Sequence, residues 1–279
     1  MRRFGLIGLM AVAACRSGGA APAAQAPAPV PPADAANAVA RLNASSRHGE
    51  YVSFATGPGD SVRAWVSYPE RRDRAPVVVV IHEIFGLSDW IRAVADQLAA
   101  DGFIAVAPDL LSGKGPNGGG TESVDQQGAT RLIRTLTPDE VQRRLTAAAA
   151  YGASRPAALP RVTTIGFCWG GSESFRAATY LPNLRGAVVY YGTSPDSAGL
   201  GRVAAPVLGL YGSNDARVNA TIDRARTELG RQRKRYEVEI YEGAGHGFLR
   251  NQPGAEGANQ RASDQAWPRT IAFLREVTR

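Results

Sequence analysis

Three short stretches of this chain hold residues whose types could share a nucleophilic reaction. "GFCWGG" places Cys168 among glycines, "YGSNDARV" carries Asp215, and "GAGHGFLR" carries His246. A thiol attacks a carbonyl carbon as its thiolate. An imidazole can take or return the proton, and a carboxylate can hold that imidazole in the working tautomer. Such a trio supports acyl transfer, in which an ester or lactone passes through a thioester. Each residue alone also has a plainer use: cysteine as a small buried hydrophobe, aspartate as a turn or helix cap, histidine as a packed loop residue. Asn214 adjoins Asp215 but carries no charge, so the aspartate is the candidate acid.

The elements that must position these residues can be read from periodicity. "YVSFATG" and "SVRAWVSYP" alternate apolar and polar residues around "GPGD", a hairpin pattern. "PVVVVIH" (76–82) is a continuous β-branched run of the kind buried on both faces of a parallel sheet. Helical spacing follows from Asp89 to Ala100, then the strand "FIAVAPDL" and a Gly-rich loop from Ser112 to Gly120. Pro138-Asp139 opens a helix to about Ala153, "RVTTIGF" leads into Cys168, and Gly170 to Tyr180 continues as helix. "GAVVYYG", "PVLGLYG" and "YEVEIYEGAGH" supply further strands, with helices at Thr221 to Gly230 and Gln260 to Val277.

Strands alternating with helices predict an α/β fold, with a mostly parallel sheet covered on both faces. In such sheets ligands bind beyond the carboxyl ends of the strands. The loops bearing "HEIFG", Cys168, Asp215 and His246 all fall at that edge. Their chain order, nucleophile then acid then histidine, is the order used by α/β-hydrolases. A sharp strand-to-helix turn at Cys168 needs glycine neighbours. It also aims the sulfur at a helix N-terminus, where backbone N–H groups favour a thiolate. The amide of Trp169 and one from the 82–86 loop, assigned to Ile84, would receive the oxyanion.

Composition narrows the alternatives. In 279 residues, 44% are hydrophobic and 20% charged, as in a soluble enzyme with a sizeable core. The two cysteines, Cys15 and Cys168, provide no disulfide framework. Of the histidines His48, His82 and His246, none has a partner at metal-ligand spacing, and His82-Glu83 lacks the second histidine of H-E-x-x-H. No metal and no cofactor are expected. The net charge is +7, but the dense basic run "RQRKRY" (231–236) reads as a solvated connector. Nucleic acid is not an expected partner.

The N-terminus reads as an export device. Arg2 and Arg3 precede an apolar stretch from Phe4 to Ala14, too short to span a membrane. "VAAC" is similar to a bacterial lipobox, which makes 1–14 a lipoprotein-type signal peptide and Cys15 the lipidated first residue of the mature chain. An ordinary signal peptide cut near Ala14 or Ala20 is the alternative. Residues 15–47 are rich in Ala and Pro with few large apolar side chains, so they read as a disordered linker, with the folded domain spanning 48–279. The expected location is therefore the bacterial cell envelope, lipid-anchored on the periplasmic side, as a monomer.

The quoted motifs together resemble the dienelactone hydrolase (carboxymethylenebutenolidase) family. "VVVIHEIFGL", "GFIAVAPDLL", "IGFCWGG", "YGSNDARV" and "GAGHGFLR" carry the likeness over nearly the whole domain. It implies an α/β-hydrolase fold, a cysteine nucleophile and a small lactone or ester substrate. It also implies a glutamate after the first core strand that switches the thiol on, here Glu83, and an arginine four residues after the histidine that meets a substrate carboxylate, here Arg250. The chain departs from the family just after "PDL", where Leu111 and Gly113 replace a tyrosine and an arginine; Lys114 is the neighbouring candidate cation. Two other classes remain open to the sequence: a non-catalytic hydrolase-fold binding protein of the envelope, and a thiol redox protein, which would lack a resolving cysteine in the domain.

Overall fold

The computed structural model describes Met1 and residues 28–279. The leader expected at 1–14, Cys15 and the linker as far as residue 27 lie, Met1 aside, outside the described residues. Among the described residues eight strands form one sheet in the order β1-β2-β4-β3-β5-β6-β7-β8. The strands are β1 (Gly49–Gly57), β2 (Asp60–Ser67), β3 (Ala75–Ile81), β4 (Ile104–Pro108), β5 (Ala158–Phe167), β6 (Gly186–Tyr190), β7 (Val207–Gly212) and β8 (Tyr236–Tyr241). β1 and β2 form the expected hairpin, and β2 also runs antiparallel to β4; every later pairing is parallel.

The helices are α1 (Ala38–Asn43), α2 (Asp89–Ala100), α3 (Gln126–Ile133), α4 (Pro138–Ala153), α5 (Trp169–Ala177), α6 (Ser197–Arg202), α7 (Ala216–Asn219), α8 (Ile222–Arg231) and α9 (Ala258–Val277). Because side chains alternate along a strand, β3 feeds two cores at once. Val78 and Val80 belong to the core on one face, with Trp90, Ile91 and Leu98 of α2 and, further along the sheet, Trp267 and Ile271 of α9. Val77, Val79 and Ile81 belong to the core on the other face, which Val141 and Leu145 of α4 and, further along the sheet, Leu229 of α8 share. All five are fully buried, and each such side chain contributes about 1.5–3 kcal/mol. The start of α4 is set by local chemistry: the Thr137 hydroxyl accepts from the Glu140 amide at 3.3 Å, and Pro138 occupies the first turn.

The ordered domain reaches further back than the boundary expected at His48. Residues 28–47, expected to be part of a disordered linker, lie on the domain and include α1. Ala38 is 1% exposed and sits in the core beside α2. The Ser45 hydroxyl meets Asp96 at 2.6 Å, and Arg47 holds the same carboxylate in two-point contact at 2.9 and 2.5 Å. A run of alanines lacks bulk, but it fits where little room is left, and its backbone can still be paired. Composition alone therefore gave the wrong boundary.

Candidate active site

β5 ends at Phe167 and α5 begins at Trp169, so the whole reversal falls on Cys168, at φ 56° and ψ −117°. A non-glycine residue with positive φ is strained, and surrounding structure must hold it there. The Cys168 amide does so in part by donating to the Tyr190 carbonyl at 3.1 Å. The flanking glycines make room: a Cβ on Gly166 would collide with the backbone of Gly170, and one on Gly170 with the carbonyls of Ile81 and His82. The thiol is thus displayed at the first turn of a helix, beside the end of β3.

His246 follows β8 and Asp215 follows β7, so the parallel register of these two strands brings them together. The imidazole Nδ1 lies 2.5 Å from Asp215 Oδ2. The other oxygen of Asp215 accepts from the Val218 amide at 3.4 Å, capping α7. The capping use weighed for this aspartate and its contact with histidine are therefore both present. His246 remains open to solvent on its far side, with 35% of its side chain exposed, leaving Nε2 free for a proton from outside.

The loop after β3 is fixed by His82, which is fully buried. Its Nδ1 lies 2.7 Å from the Glu83 carbonyl, and its Nε2 accepts from the Leu110 amide at 3.0 Å. The ring is therefore neutral with the proton on Nδ1, and burial lowers its pKa. Glu83 is 4% exposed. Burial pushes its carboxyl up to about 7, against the opposing pull of Arg250. Arg250 Nε stands 3.1 Å from Glu83 Oε2, and the guanidinium lies over the Phe85 ring at 4.8 Å. The thiol of Cys168 is pushed up to about 11, first by burial and then by Glu83, while the Trp169 amide and Arg217 pull the other way. The helix-terminus effect expected to favour a thiolate is present, but burial outweighs it. At rest the sulfur holds its proton.

A cavity of about 650 Å³ joins these groups; Cys168, His246, Glu83, Ile84 and Arg250 all line it. Asp215 reaches it through His246. Trp169 adjoins Cys168 at the first position of α5, where its amide has no intrahelical partner. Two lining or flanking residues were not singled out from sequence. Arg217 lines the cavity two residues after the acid, and "SNDAR" offered it as a cation on the same loop. Tyr191 (φ 40°) packs edge-on against His246 at 5.1 Å, with its buried hydroxyl lacking a hydrogen-bond partner among the described residues. Only the pair "YYG" at the end of a strand marked it. Lys114 does not reach this site: its ammonium pairs with Glu140 at 2.7 Å beside a separate polar cavity. Exposed His48 lies 3.8 Å from Glu50, well away from the strand ends that carry the site.

Comparison with known proteins agrees with this fold. The sequence profile described as the dienelactone hydrolase family matches residues 62–278. A Saccharolobus solfataricus protein named as a carboxymethylenebutenolidase is 29% identical over 257 residues, covering 81% of this chain and 98% of its own. One of the same name from Methylorubrum extorquens is 31% identical over 199 residues, 67% of this chain and 68% of that one. A crystal structure of a dienelactone hydrolase of Klebsiella pneumoniae superposes with a TM-score of 0.72 at 26% identity, covering 83% of this chain and 100% of that chain.

Proposed function

Since the chain belongs to the dienelactone hydrolase family, we propose that it hydrolyses a small lactone or carboxylic ester through an acyl-enzyme on Cys168. One observation carries the reading: the strained turn presents Cys168 to the same cavity as the His246–Asp215 and Arg250–Glu83 pairs.

In this reading an anionic group on the substrate competes with Glu83 for Arg250. The released carboxylate takes the thiol proton, and the thiolate forms a bond to the substrate carbonyl carbon. The N–H groups of Ile84 and Trp169 receive the negative charge on oxygen. The carbon–oxygen bond then breaks, and the leaving alkoxide takes up the proton that left the thiol. In the second half, His246, oriented by Asp215, removes a proton from water. The resulting hydroxide attacks the thioester, the carbon–sulfur bond breaks, and the sulfur regains its proton from His246. The net change is ester plus water to acid plus alcohol, with no cofactor required.

The deciding experiment screens small lactones and aryl esters against wild type and Cys168→Ala, with intact-mass detection of an acylated protein. Wild-type turnover by a folded Cys168→Ala variant would refute the reading. We further propose, from "VAAC" alone, that Cys15 is lipidated and anchors the protein in the envelope. Two or three acyl chains would hold it stably where one would not. Mass spectrometry of the mature N-terminus tests this: diacylglyceryl-Cys15 is expected, and a free N-terminus elsewhere removes the anchor.

A further inference from the structure

The cavity has one wall that does not come from the strand ends. Asp34, Ala35 and Ala36 line it together with Cys168, His246, Arg217 and Arg250. They belong to a segment that precedes both the hairpin and the residues matching the family profile, which begin at 62.

This segment is stitched to the loop that carries His246 and Arg250. The Ala35 amide donates to the Arg250 carbonyl at 2.9 Å. The buried side-chain amide of Gln252 donates to the Pro32 carbonyl at 2.8 Å and to the Leu249 carbonyl at 3.0 Å. At its other end the segment turns into α1 through Asp34. That carboxylate, 7% exposed, accepts from the Asn37 backbone and side-chain amides at 2.9 and 2.8 Å. Ala38 and Arg47 then fix the far side on α2. A strap held at both ends cannot swing away without breaking these contacts together.

Its chemistry suits a wall better than a gate. Pro32 has little conformational freedom to lose, and Ala35 and Ala36 line the cavity with side chains no larger than a methyl group. Substituting either alanine by a larger residue would fill space that the smallest side chains leave open. The strap also touches the backbone of Arg250, so its position and that of the guanidinium beside Glu83 are linked.

We propose that Pro32–Ala36 is a specificity wall of the active site, which sets the size of the acyl or alcohol group that can reach Cys168. The proposal rests on the ester-hydrolase reading for its substrates, but not for its test. The full chain is labelled with iodoacetamide or with the much bulkier fluorescein-maleimide, and labelling is read at the Cys168 peptide by mass spectrometry. The quantity measured is the ratio of bulky to small reagent rates, which needs no turnover. Ala36→Phe, which adds bulk at the cavity wall, is expected to lower this ratio at least tenfold. Gln252→Leu, which frees the Pro32 carbonyl, is expected to raise it about fivefold. Hydrolysis of acetyl against bulkier acyl esters should shift in the same two directions. Ratios within twofold of wild type in both variants, each folded by circular dichroism, would overturn the proposal. Should one variant fail to fold, the other decides alone. Shifted labelling ratios with no ester hydrolysed by any form would support the wall and defeat the hydrolase reading.

Discussion

Arg250 Nε and Glu83 Oε2 stand 3.1 Å apart, yet neither atom has a hydrogen-bond partner among the described residues. The charges are in contact, but the N–H is not aimed at the oxygen. A buried pair so arranged gains Coulomb energy without the directed bond that would best offset its desolvation. It is a contact that a better-aligned carboxylate, one belonging to a substrate, could displace.

The first expectation concerns the thiol that Glu83 holds down. Glu83→Gln removes the charge that, after burial, contributes most to raising Cys168 to about 11. Alkylation of Cys168 by iodoacetamide at neutral pH should therefore become faster while substrate turnover becomes slower. Unchanged rates in both assays would leave Glu83 a structural residue.

The same carboxyl has a consequence for folding. Its pKa rises from 4.5 when unfolded to about 7 when folded. Between these values the folded protein holds a proton that the unfolded chain has released, so stability falls as pH rises through this window, by roughly 1.4 kcal/mol per unit at most. Urea unfolding at pH 5 and pH 8 should show Glu83→Gln gaining on wild type by on the order of 2–3 kcal/mol at the higher pH. Parallel pH dependence in the two proteins would contradict the assigned burial cost.

Substrate charge should be read by arginine. Arg250→Met is expected to weaken carboxylated substrates by ~1.5–3 kcal/mol, the range for a hydrogen bond to a charged group, and neutral esters less. Arg217 lines the same cavity with no ion-pair partner among the described residues, so Arg217→Met should act in the same direction. Equal loss on charged and neutral substrates would make either arginine structural.

Asp215→Asn should keep the fold, since asparagine also caps helices, but leave the imidazole without its anionic partner. Turnover is expected to drop by about 10⁴-fold, as when the equivalent carboxylate is lost from a Ser-His-Asp triad. Near-normal kcat in that variant would show that His246 does not need Asp215.

Much of the site was legible because its chemistry demands particular residues at particular turns. Gly166 and Gly170 are forced by backbone collisions around Cys168, and such collisions leave a pattern in sequence. The β-branched run at 77–81 marked the centre of the sheet for a similar reason, since both of its faces are buried. α3 and α6 were not legible. They are short, each contains glycine, and their starts are set by aspartate caps at Asp125 and Asp196 rather than by a long apolar run. Lys114 was close in sequence to the family's missing arginine, but its pairing with Glu140 depends on α4, which local reading does not reach. The strap was hidden for a different reason. Its contacts to Arg250 and Gln252 run through backbone groups, and these carry no sequence signature.

The bond between Gln252 and Pro32 spans 220 positions. During synthesis the strap is made first, and its partner follows 220 positions later. A growing chain acquires Cys168 well before Asp215 and His246, so for much of its production the thiol exists without its base and without one side of its chamber. Such a chain carries a thiol without its base, and without the burial that raises its pKa in the folded protein, so it cannot complete turnover. Catalytic competence therefore follows synthesis of the loop that carries His246 and of Gln252, which closes the strap onto it.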